Sequence, residues 1–77
     1  MTLYTQSGCH LCAQAEAVLD LYGAACERVD VAACTVDQLA EYHFRADSGE
    51  LPLLVDDSGC VFTGQAAVYR VEEVARG

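Results

Sequence analysis

Cys9 and Cys12, separated by two residues, are the side chains of this chain best suited to covalent chemistry. Thiols at this spacing on one helical turn close into a disulfide, and reopen, with little backbone movement. The segment Cys9-His10-Leu11-Cys12 follows a strand-like stretch and opens a helical pattern. Cys9 is therefore expected at a helix N-terminus, where free N–H groups and the positive end of the dipole favour the thiolate, the nucleophilic form. Cys9 is expected to attack a substrate disulfide, and Cys12, one turn deeper, to resolve the mixed disulfide. Gly8 lets the chain turn sharply and keeps bulk away from the sulfur. His10 beside the nucleophile supplies a partial positive charge that favours the thiolate. Its plain alternative is an exposed residue at the start of a helix.

A cysteine pair of this spacing also makes half of a tetrahedral zinc site. The other half needs a second ligand pair, whereas Cys26, Cys34, Cys60, His10 and His43 stand singly. Two alternatives to redox chemistry are thus a cysteine-based metal-binding or delivery module and a non-catalytic interaction domain with a vestigial dithiol. No resident metal or cofactor beyond the redox pair itself is expected.

The elements that must position the pair follow from periodicity. Thr2 to Thr5 is β-branched and aromatic and reads as a strand, with Gln6-Ser7-Gly8 as a turn. From His10 to Tyr22 the apolar residues Leu11, Ala15, Val18, Leu19 and Tyr22 recur at helical spacing, and Gly23 stops the helix. Glu27 to Val31 alternates polar and apolar residues and reads as a second strand, completing a βαβ unit. Thr35 caps a second helix through Val36, Leu39, Ala40 and His43 or Phe44. Leu51 to Val55 and Cys60 to Thr63 flank the turn Asp56-Asp57-Ser58-Gly59 as a hairpin, and Gln65 to Arg76 forms a last helix. The expected order is β-α-β-α-β-β-α. Seventy-seven residues, 53% of them hydrophobic, suit one small domain over 1–77 with a modest core.

Charge and cysteine count bound the setting. Twelve acidic residues stand against four arginines, giving a formal charge of −8, with no lysine. Nucleic acid and anionic membrane surfaces, which need a basic footprint, are excluded as expected partners. No apolar run is long enough to span a membrane, and Met1 to Thr5 lacks the pattern of a secretory signal. Five cysteines cannot all pair within one chain, which points to a reducing compartment, expected to be the cytoplasm; a monomer is expected. Cys26, Cys34 and Cys60 are expected as small buried residues, with a second, regulatory disulfide as the alternative.

Pro52 interrupts an apolar strand, where proline forfeits a ladder bond. An ordinary trans proline at a strand start is the simple expectation. A cis peptide would instead expose the backbone of Leu51 for pairing with an extended substrate.

The stretch Thr2 to Leu19, with its Cys9-His10-Leu11-Cys12 motif, together with Asp30 and Leu51-Pro52-Leu53-Leu54, resembles glutaredoxin-like proteins of the C-H-L-C type. The resemblance implies a thioredoxin-like fold with a four-stranded mixed sheet flanked by helices. It implies Cys9 as nucleophile, Cys12 as resolving thiol and a thiol–disulfide oxidoreductase or electron-transfer function. It also implies a cis Pro52 facing the dithiol, Leu51 presenting its backbone to substrate, and Gly64 near a bound glutathione. Three departures stand out. Gln6 and Ser7 replace the basic residue that usually precedes the dithiol, Leu51 replaces the usual threonine, and Arg45 to Glu50 reads as an insertion. Glutathione, a reductase of the thioredoxin-reductase type and a dedicated protein partner are all left as candidate electron donors. The substrate class is a protein or small-molecule disulfide.

Overall fold

A computed structural model describes residues 1–46 and 50–77. The described elements run β1 (Thr2–Thr5), α1 (His10–Tyr22), β2 (Glu27–Asp30), α2 (Val36–Arg45), β3 (Leu53–Val55), β4 (Val61–Thr63) and α3 (Gly64–Arg76). The four strands form one mixed sheet in the order β2-β1-β3-β4. Strand β1 is parallel to β2 and antiparallel to β3, and β3 is antiparallel to β4. This open α/β sheet with three helices is consistent with a thioredoxin-like fold.

Alternation along the strands divides the interior. Leu3 and Leu54 face each other in register and bury against Ala15 and Leu19 of α1 and Ala67, Val68 and Val71 of α3. Tyr4 and Leu53, the next pair, point to the other face with Val29 and meet Tyr42 of α2. Successive strand residues must point to opposite faces, so two adjacent apolar residues on each central strand require a cover on both sides.

Helix α1 keeps the predicted bounds. Alanines at 13, 15 and 17 favour the helix, and Gly23 ends it with a φ of +63°. The Ala24 N–H then donates to the Leu19 carbonyl at 3.0 Å, a six-to-one closure of the last turn. Helix α2 begins with a reciprocal cap: Gln38 N–H donates to Thr35 Oγ1 at 3.1 Å, and Thr35 N–H to Gln38 Oε1 at 3.0 Å.

Several expectations need correction. Strand β2 stops at Asp30, β3 starts only at Leu53 and β4 at Val61, while α3 takes in Gly64. Two of the apolar residues that mark helix α2 in the sequence do not face the core. Val36 and Phe44 are 84% and 83% exposed, and Tyr42 is its one buried side chain. Tyr42 stacks on Tyr4 with centroids 5.5 Å apart, so one aromatic contact docks the helix. A cleft of about 350 Å³ stays open beside it, lined by polar residues of α2 and by polar and apolar residues of the sheet. Cys60 is exposed, not buried, and Cys26 and Cys34 are half-buried.

The β3–β4 turn is organised by Asp56. Its Oδ1 accepts from Ser58 N–H at 3.0 Å, Ser58 Oγ at 2.6 Å and Cys60 N–H at 3.0 Å. The Ser58 hydroxyl, helped by these amides and by Arg70, holds the Asp56 carboxyl below the usual carboxylate range. A depressed folded value means that Asp56 stabilises the chain above its unfolded titration and loses this as pH falls through the folded one. Thermal melting of an Asp56→Asn variant is expected to differ most from the parent near neutral pH. The gap is expected to close below about pH 4. A gap of constant size across that range would contradict this role.

Candidate functional site

Strand β1 and the turn Gln6–Gly8 deliver Cys9 to the head of α1. The Cys9 N–H donates to the Gln6 carbonyl at 3.2 Å, and Gly8 within the turn has a φ of +85°. A side chain in that left-handed conformation is unfavourable, which is the local reason for glycine here. Cys9 keeps an extended backbone (φ −87°, ψ 116°) and is the N-cap residue of α1.

The capping acceptor is sulfur. The backbone N–H of Cys12 donates to Cys9 Sγ at 3.2 Å. One of the four unsatisfied N–H groups of the first turn is thereby aimed at the thiol. The sulfur thereby takes the place of the usual oxygen acceptor at the N-terminus of a 13-residue helix. Cys12 sits on the inner side of the same turn and is 1% exposed. Burial, with a hydrogen bond to Cys9 adding to it, pushes the Cys12 thiol up to about 12. The pair is asymmetric: a partly accessible sulfur with a backbone donor, and a buried thiol held protonated.

Strand register brings other expected residues to the same end of the sheet. Thr5 lies opposite Asp30 at the end of β2, and Tyr4 opposite Leu53, the first residue of β3. Leu53 in turn lies opposite Thr63, the last residue of β4. Leu51, Pro52 and Gly64 therefore all stand at the end where β1 leads into Cys9. The Leu51–Pro52 peptide is cis, as the family resemblance implied and against the trans proline expected from the strand pattern alone. Pro52 is buried, and its carbonyl accepts from Gly64 N–H at 3.0 Å. Leu51 precedes the ladder residues of β3.

His10 is directed elsewhere. It is exposed on the first turn, with its ring Nε2 3.0 Å from the Gln14 side-chain nitrogen one turn along. That is the i,i+4 neighbour on the helix surface, so its hydrogen-bond partner lies away from Cys9. Tyr4 belongs to the core.

One residue at this end was missed from sequence. A Cβ built on Gly64 would lie 2.6 Å from Glu50 Oε2 and 3.4 Å from its Cδ. The Glu50 carboxylate thus covers Gly64, two residues before Pro52. The stretch read as an insertion contains Glu50, but Asp47, Ser48 and Gly49 lie outside the described residues. No motif marked Glu50. Its contact depends on the positive φ of Gly64 (+58°), which leaves open the space that a side chain would fill.

The arginines do not offset this charge. Arg28 pairs with Asp20 at 2.7 Å, Arg45 with Glu41 at 2.9 Å and Arg76 with Glu72 at 3.4 Å. Arg70 pairs with Asp56 at 3.4 Å and Glu73 at 3.3 Å. On the β2 side of the dithiol turn, Thr5, Gln6, Ser7, Glu16, Asp30 and Arg28, the last paired with Asp20, line a cleft of about 300 Å³. Among the described residues, no group of three or more histidine, cysteine, aspartate or glutamate side chains converges as a metal-ligand set. No helix of the described structure is long and apolar enough to cross a membrane.

A scan against protein-family models and a search of the curated proteins gave no match to this chain. A close Cys9–Cys12 pair in an α/β fold is compatible with redox or metal-binding roles.

Proposed function

We propose that the chain is a thiol–disulfide oxidoreductase or electron-transfer redoxin, one thioredoxin-like domain of glutaredoxin type working through Cys9 and Cys12. The observation that carries this reading is the cap: Cys12 N–H donates to Cys9 Sγ while the Cys12 thiol itself is buried. That asymmetry suits unequal roles. Cys9 as thiolate attacks one sulfur of a disulfide RSSR, forming the Cys9–S–S–R bond and releasing RS⁻. Cys12 then attacks the Cys9 sulfur, the second RS⁻ leaves, and the Cys12 proton passes to a departing thiolate. Two protein thiols are oxidised and one substrate disulfide is reduced.

The remaining residues support these steps. Gly8 shapes the turn, and Leu51 offers its backbone beside Pro52 to an extended substrate. Gly64 forms the opposite wall, and His10 stands beside Cys9 with its ring turned to Gln14. The chain works as a monomer in a reducing, cytoplasmic setting.

Alkylation tests the asymmetry. At pH 8 a thiol titrating at about 12 is thiolate in roughly one part in 10⁴. The greater intrinsic nucleophilicity of a high-pKa sulfur recovers part of that factor. Iodoacetamide is therefore expected to modify Cys9 of the folded, reduced chain at least about tenfold faster than Cys12, read by peptide mass spectrometry. Equal rates would contradict the reading. So would a stoichiometric metal in the purified, reduced protein that is lost on Cys9→Ser.

A further inference from the structure

Glu50 has no part in the exchange chemistry, yet its carboxylate lies against Gly64 at the end of the sheet that carries the dithiol. The position is electrostatically distinctive. Gly64 is the first residue of the 13-residue helix α3, and the preceding Thr63 makes no side-chain cap. A helix N-terminus of this kind ordinarily favours an incoming anion. Here an anion of the chain itself is already beside it. Each arginine already faces a carboxylate of the chain, and on the other flank of β1 Asp30 ends β2 in a cleft that Glu16 and Arg28 also line. A negatively charged group approaching Cys9 along Pro52 and Gly64 therefore meets the Glu50 carboxylate beside Gly64.

We propose that Glu50 is a specificity-determining residue. It turns disulfides with anionic flanking groups, glutathione disulfide among them, away from Cys9 and favours those with cationic flanks. The inference rests on the redox reading of Cys9 and Cys12. The exchange is unchanged: Cys9 thiolate forms one S–S bond to the substrate as RS⁻ leaves. The charge carried by R sets how readily that sulfur is reached.

The test uses the reduced full chain and three small disulfides of matched length: cystamine (cationic), bis(2-hydroxyethyl) disulfide (neutral) and bis(2-carboxyethyl) disulfide (anionic). Oxidation rates are divided by those of a free neutral thiol with the same reagents, which removes intrinsic differences in reactivity. At low ionic strength the normalised cystamine-to-carboxyethyl ratio is expected to be about tenfold or more, the size of a few-ångström interaction between unit charges near a surface. Glu50→Gln is expected to cut the ratio several-fold, Glu50→Lys to invert it and Glu50→Asp to retain most of it. Salt at about 0.5 M is expected to compress it in the parent chain. A ratio near one in the parent, or one that Glu50→Gln leaves intact, overturns the assignment of Glu50. Failure of all three disulfides, the neutral one included, to oxidise Cys9 overturns the redox reading itself, and this inference with it.

Discussion

Replacement of Cys9 by serine is expected to reduce disulfide-exchange turnover to the uncatalysed background, a loss of roughly a thousandfold or more. The hydroxyl keeps the cap on α1, because a serine oxygen accepts from the first-turn N–H at least as well as sulfur. Folding is therefore expected to survive, and the loss reports chemistry. Cys12→Ser has a different outcome. Cys9 remains at the helix start and still attacks, but nothing resolves the product, so a mixed disulfide of one substrate per chain accumulates. Non-reducing gels and intact mass measure both results. The comparison belongs in a Cys60→Ser background, since Cys60 is exposed and reacts on its own account. Retained turnover in Cys9→Ser would remove Cys9 from the role of nucleophile.

Leu54→Ala is expected to have the largest effect on stability. Leu54 is fully buried between Leu3 and Phe62 in the sheet register and packs with α1 and α3. Truncating such a leucine costs about 2–5 kcal/mol through lost burial and the cavity left behind. The stability typical of chains this size is about 4–12 kcal/mol, so the variant loses a large share of it. Urea unfolding followed by circular dichroism is expected to show the midpoint falling by a third or more. Leu21→Ala, at a site 77% exposed, is the matched control and is expected to stay within about 0.5 kcal/mol of the parent. Similar midpoints for the two variants would mean that the core is not where the two leucines place it.

The positions of the elements were legible because the signals were local. The apolar spacing from Leu11 to Tyr22, Gly23 as a stop and Thr35 as a cap act within a turn or two of the chain. The partner of α2 was not legible. Its apolar residues Val36, Leu39 and Phe44 marked a helix, but the contact that docks it joins Tyr42 to Tyr4, thirty-eight positions earlier. Strand ends were overestimated for a related reason. Val31, Leu51 and Cys60 have strand-like character, but a residue joins a ladder only where a neighbouring strand supplies a partner. At the dithiol, motif spacing was enough to place Cys9 and Cys12 on one turn. Glu50 over Gly64 was not readable, because it depends on a backbone conformation and on a loop bringing residues 50 and 64 together. The burial expected of Cys60 failed because the Asp56 turn holds it at the hairpin surface, with Ser58 Oγ 3.3 Å from its sulfur.

The absence of a free arginine at the site bears on the choice of electron donor. Glutathione carries two carboxylates, and carboxylates are best held by guanidinium or ammonium groups. All four guanidiniums are committed to carboxylates of the chain itself. A reductase or protein partner with a basic contact surface fits the net charge of −8 better.

Thiol trapping across a series of dithiothreitol redox buffers is the most direct measurement of the central claim. Cys9 and Cys12 are expected to pass together from dithiol to disulfide in one two-electron transition, with Cys26, Cys34 and Cys60 remaining thiols. Cys9 and Cys12 staying reduced throughout, or pairing with other cysteines instead of each other, would contradict it.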